Sequence, residues 1–172
     1  MHRTVSTELP GLRRRIASMA YECLLLLGVL SVTFLVPHLL LGMAFNVTLP
    51  SWLVALNFFG VIGAYFIWYW HQHGQTLAMQ TWKMQLVRAD GGKPALQQLL
   101  LRYVLALIIP LGMIYLIQHL LAGLPVARWY PWLGATVGLL WAFFDRDRQF
   151  LHDRLSGTKI IYYPPIPPSF GG

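Results

Sequence analysis

Arg15 and Glu22 stand seven residues apart in a run that is otherwise almost wholly apolar, from Leu12 to Leu41. Seven residues is close to two helical turns, so both would share one helix face, about 10 Å apart along its axis. That gap strains a direct salt bridge. Arg15 would reach lipid headgroups or cytoplasmic carboxylates instead, and Glu22 would need a partner from another helix. Arg102 is the best candidate, because it enters a later apolar segment from the same side at a comparable depth. An acid inside such a segment costs roughly 2.5–3.5 kcal/mol to insert. Glu22 therefore reads in one of two ways. It is an ion- or proton-binding carboxylate, or it is structural, as a buried pair partner or a protonated acid hydrogen-bonded to a neighbour.

Other reactive residue types are sparse. His71 and His73 flank Gln72, but a metal would need further ligands of suitable geometry, with His152 the nearest candidate. Polar histidines at a membrane interface are the plainer reading. No nucleophile–base arrangement is visible, nor a phosphate-cradling glycine loop, nor a paired Cys or His–Glu metal motif. The sequence thus supports no enzyme, no metal and no cofactor. The single cysteine, Cys23, allows no disulfide within one chain.

The elements that must hold these groups are membrane helices. Of 172 residues, 56% are hydrophobic and 11% charged, against about 25% charged in soluble domains. A bilayer core about 30 Å thick needs roughly 20 apolar helical residues. Four stretches serve: about Ile16 to Leu35, with Pro37 bending or ending it; Trp52 to Trp70; Leu96 to Leu121, with Pro110 expected to kink it; and Trp129 to Phe144. Gly60 with Ala64, and Gly134 with Gly138, are small-residue pairs that permit close helix approach. A signal peptide is disfavoured at the N-terminus, since the apolar run is too long and no clear cleavage site comes after it.

The formal net charge of +7 might suggest nucleic acid, but the positives cluster beside apolar spans, where topology and anionic headgroups explain them. Under four spans, Arg128 alone among the 13 basic residues falls outside the cytoplasmic face. Both termini are therefore expected in the cytoplasm. Between spans two and three, Lys83 to Ala89 alternates loosely before the turn Asp90-Gly91-Gly92. It is expected to pair with Lys159–Tyr163 as a small cytoplasmic β-ribbon. Residues 1–11 read as a frayed lead, 12–163 as one membrane domain, and 164–172 as an extended proline-rich tail.

The densest charged stretch runs from Asp145 to Arg154, and it continues as Arg148-Gln149-Phe150-Leu151-His152-Asp153-Arg154-Leu155-Ser156-Gly157-Thr158. It closely resembles the C-terminal signature of the RDD family of small bacterial integral membrane proteins. Gly74 to Met79 with Leu86 to Gly91 resembles that family's cytoplasmic loop, and Arg14 to Ser18 its first helix start. His152, Asp153, Arg154, Gly157 and Thr158 carry the signature. The resemblance makes Arg15 the family's arginine and Asp153, before Asp90, its second aspartate. Glu22 stands where the first aspartate is expected, Ala78 where a loop glycine is, and Phe150 where a small residue is usual.

The apolar spans predict an all-α, four-span integral membrane protein with a short cytoplasmic β-ribbon, and the resemblance implies the bacterial inner membrane. Arg15, Glu22 and Asp153 from the resemblance, with Arg102 from its depth, make up the candidate charge site. The resemblance also implies a small transporter or cation/proton exchanger. Four short spans barely enclose a pathway, so that version requires a homo-oligomer. The other version is a non-transporting scaffold, assembly factor or regulatory subunit. In it the charges merely lock helix ends and loops together.

Overall fold

The computed structural model describes residues 9–46, 49–120, 141, 144–145 and 149–162. The expected fourth span, its glycine pair and the proline-rich tail lie outside the described residues, apart from Trp141 and Phe144.

α1 (Leu12–Leu30) starts where the Gly11 carbonyl accepts from the Arg14 and Arg15 amides, at 3.0 and 3.3 Å. The first span does not stop near Leu35. A π-helical turn (Ser31–Leu35) leads directly into α2 (Val36–Phe45), giving one apolar helix over Leu12–Phe45. Pro37 lacks the amide that an α-turn donates, and the wider π turn just before it accommodates the loss without a break. Asn46, in the left-handed region at φ 50°, closes the helix.

α3 (Ser51–His73) ends on Gly74, whose φ of 67° supplies the left-handed cap. Thr76 then caps the short α4 (Leu77–Thr81) by accepting from the Met79 amide at 3.2 Å, a helix that the sequence pattern does not announce. β1 (Met84–Arg88) and β2 (Thr158–Tyr162) pair antiparallel, with Leu86 opposite Ile160, so the expected ribbon is present. Asp90 shapes the turn after β1, accepting from Arg88 Nε at 2.7 Å and from the Gly92 amide at 2.9 Å. α5 (Leu96–Leu120) stays helical on both sides of Pro110. α6 (Leu151–Leu155) immediately precedes β2.

Among the described residues, three helices are long and apolar enough to cross a bilayer: Leu12–Phe45, Ser51–His73 and Leu96–Leu120. Their middles leave residues such as Leu27, Leu40, Leu56 and Ile108 exposed. The core lies instead at their polar end, where Trp70, Met79, Met84, Leu86, Leu99 and Ile160 pack between helix ends and ribbon. Where α3 meets α5, the close approach is at Gly63 rather than at Gly60. A Cβ on Gly63 would lie 2.8 Å from a Tyr103 ring carbon, while Gly60 faces open space. Three residues along a helix turn the side chain by about 60° in net direction, enough to move Gly60 off the contact. Tyr103 completes the junction by donating its hydroxyl to the Phe59 carbonyl at 2.5 Å.

Candidate functional site

Asp153 is fully buried, and two guanidinium groups meet it. The third residue of α6, it accepts a 3.4 Å bond from the Phe150 amide that precedes the helix. Arg102, from the first turns of α5, pairs with one carboxylate oxygen through Nη1 and also donates to Thr158 Oγ1 at 3.1 Å. Arg15, from the first turn of α1, lies 3.7 Å from the other oxygen. It donates to the Ile160 carbonyl at 3.2 Å and to Gln149 at 3.5 Å. One carboxylate thus ties α1, α5, α6 and β2 together. Aromatic faces complete the surround, with Arg102 4.8 Å from the Trp70 ring centre and Arg15 5.6 Å from that of Phe150.

Glu22 stands apart from this lock. Tyr65 donates to its Oε1 at 2.6 Å, and Thr76 donates to its Oε2. Thr76 serves two partners at once, since its oxygen also accepts the Met79 amide. The expected pairing of Glu22 with Arg102 is therefore not made. Arg102 turns toward Asp153, a fully buried acid that offers it a direct ion pair, and hydroxyl donors from α3 and the α4 cap take Glu22. Among the described residues Glu22 has no salt-bridge partner, yet it is 7% exposed.

Both groups face a cavity of about 310 Å³ between α1, α3 and α5, lined by Arg15, Glu22 and Arg102 along with apolar side chains. His152 reaches the same wall and lies 3.3 Å from Asp153. Burial, reinforced by Arg102 and Arg15 against the pull of Asp153, lowers its pKa to about 4, so it is neutral near pH 7.

The remaining candidates disperse. Asp90 pairs at 2.5 Å with Arg88 at the exposed turn, away from both arginines of the lock. Each holds the other charged, the carboxyl lowered and the guanidinium raised. Arg154 is exposed and lies 3.7 Å from Asp145. Gly157 adopts a positive φ of 65° at the turn into β2, and Thr158 lies inside the lock. His73 lies edge-on to Trp68 and tilted against Tyr69, with ring centres 5.9 and 5.8 Å apart. No group of three metal-ligating side chains occurs among the described residues. Tyr65, Thr76 and Gln149 were not singled out from sequence. Thr76 carries a signal as a capping residue ahead of an apolar segment, and Gln149 lies in the run that resembles the family signature; Tyr65 carries none.

Among the described residues, three helices of bilayer length and apolar composition, joined at one end by a buried ion lock and a polar ribbon, give the class of a mostly helical membrane protein. The chain belongs to the RDD family, whose model matches residues 9–157. It is similar to "Uncharacterized protein RP437" of Rickettsia prowazekii (strain Madrid E), at 28% identity over 102 residues. That match covers 59% of this chain and 44% of the relative, so it spans less than half of the relative's length. No solved structure matches.

Proposed function

We propose that this RDD-family protein is a multi-pass inner-membrane protein that exchanges a cation or proton across the bilayer as a homo-oligomer, with Glu22 as the exchangeable carboxylate. The observation that carries the reading is the state of Glu22. It is buried, held by two neutral hydroxyl donors, free of a salt-bridge partner among the described residues, and set in a cavity wall. A structural counter-ion would be spent on a cation; a carboxylate held only by hydroxyls can accept a proton or a cation with little rearrangement. In this reading Arg15, Asp153 and Arg102 form the frame that fixes the helix ends, with Asp153 as the family's second aspartate.

A fourth crossing and cytoplasmic termini belong to the same reading. α5 begins beside α6, with Gln98 donating to the Ser156 carbonyl at 3.5 Å, and then runs 25 residues away, about 37 Å at helical rise. A return crossing after α5 fits the pairing of β2 with β1, and the excess of basic residues at this end supports a cytoplasmic face for it.

A second reading has its own observation. The most buried charges, Arg15, Arg102 and Asp153, are consumed in holding helices to ribbon, as a non-transporting scaffold or regulatory subunit would require. Purified protein in proteoliposomes, loaded with a pH-sensitive dye and challenged with cation gradients, separates the two. Exchange above that of empty vesicles supports transport; none, from correctly inserted protein, favours the scaffold.

A further inference from the structure

Tyr65 and Thr76 hold Glu22 by unequal means. Thr76 is 1% exposed, and its oxygen accepts the Met79 amide while its hydrogen goes to Oε2. Tyr65 is half-buried and donates to Oε1 at 2.6 Å. An ionised carboxylate only accepts, so both hydroxyls aim their hydrogens at it. A protonated carboxyl gains a donor and must reverse one of the two. Reversing Thr76 would strand its hydrogen in a buried site, an arrangement native structures avoid. The Tyr65 hydroxyl is the freer one to turn, so the proton belongs on Oε1.

Tyr65 also opens a series. Tyr65, Tyr69 and His73 follow at intervals of four on α3, which sets them on one helix face. Their rings succeed one another, with centres 4.9 Å apart between Tyr65 and Tyr69 and 5.8 Å apart between Tyr69 and His73. The series ends in an exposed imidazole at the polar end of α3. We propose that this face of α3 carries protons from the polar end to Glu22, with Tyr65 as the group that delivers them to Oε1. At each delivery the Tyr65 hydrogen passes to Oε1. The Tyr65 oxygen takes a replacement that began on a hydronium ion or on the His73 imidazolium. Tyr69 passes the proton on in the same way, through water where hydroxyls do not touch. Each tyrosine gains one proton as it loses one and stays neutral, and Glu22 ends as the neutral acid. This rests on Glu22 as the exchangeable carboxylate, and it names the ion and its route.

The test follows the carboxyl C=O stretch of Glu22 by infrared difference spectroscopy, on the full-length protein in lipid nanodiscs after a photolytic proton pulse. Of the described titratable and charged groups around Glu22, Arg15 and Cys23 lie on its own helix, Tyr65 on α3, Arg102 and Tyr103 on α5, and His152 on α6. None of these carries a carboxyl, so the band that Glu22→Gln removes is that of Glu22. With the proton on Oε1, Oε2 is the C=O oxygen and accepts from Thr76. Thr76→Val should therefore shift the band to higher frequency, and Thr76→Ser should leave it in place. Tyr65→Phe should barely move it. Tyr65→Phe and Tyr69→Phe keep their rings, and each should slow the band's appearance about a hundredfold. No band in the wild type, a shift with Tyr65→Phe in place of Thr76→Val, or an unchanged rate in either tyrosine variant overturns the proposal. If bands and rates behave as expected while vesicles show no exchange, the exchange reading alone falls.

Discussion

Asp153 offers one carboxylate to two guanidinium groups in a site where water does not reach. Removing one member of a buried, hydrogen-bonded ion cluster leaves the others uncompensated, at a cost of about 3–5 kcal/mol. Asp153→Asn should therefore lower thermal stability in detergent steeply, read by temperature-dependent loss of monodisperse protein, whereas Asp90→Asn at the exposed turn should barely register. His152 makes a pH prediction at the same site. Its folded pKa is depressed to about 4, below the unfolded value near 6.5, so the unfolded chain binds the proton first. Stability from this group is complete above about pH 6.5 and falls as pH drops toward 4, by on the order of 2–3 kcal/mol. Unfolding midpoints at pH 7 and pH 4.5 test this, and His152→Gln should flatten that part of the profile. Sequence placed Arg15, Glu22, Arg102 and Asp153 at one end of the chain's helices, and the structure does bring them close. It could not assign partners, because depth along a helix is read from spacing while the direction of a side chain around the axis depends on packing. Thus Arg102 was matched to Glu22 on depth, and the structure pairs it with Asp153.

Elements were legible where a physical signal was local. β1 alternates loosely ahead of turn residues, β2 is β-branched and aromatic in part ahead of prolines, and both form within one residue of the expected limits. The long apolar spans declared themselves by composition alone. The π turn before Pro37 and the five-residue α4 did not, since a break and a smooth accommodation have the same sequence, and five residues carry no periodicity. The α3–α5 junction shows the same limit. A small-residue pair was visible at Gly60 and Ala64, but contact selects Gly63, one face away. Gly63→Ala should press a methyl group into the Tyr103 ring and cost about 1–3 kcal/mol, measured as a lower unfolding temperature in detergent. Gly60→Ala, facing open space, should be neutral or slightly stabilising.

At the scale of the whole molecule the protein inverts the soluble pattern. Its described core gathers at the polar end, and the helix middles present apolar side chains outward. Such surfaces suit lipid and, in the exchange reading, further copies of the chain. In the proposed topology the loop before α3 lies across the membrane from the ribbon. Reporter fusions after Ser51 and after Tyr163 should therefore report opposite sides, and the same side for both would end this topology. The central claim, that Glu22 is the exchangeable group while Asp153 holds the frame, is tested most directly by ion exchange of Glu22→Gln in proteoliposomes, measured beside the wild-type protein. Gln keeps the shape of the side chain and loses its titratable charge; its amide nitrogen donates where a carboxylate oxygen accepts, so the Tyr65 or Thr76 hydroxyl facing it turns to accept. Since Arg102 is paired elsewhere, the variant should insert and remain folded, with a thermal midpoint close to that of the wild type, while exchange falls to the level of empty vesicles. Undiminished exchange by the folded variant would contradict the claim.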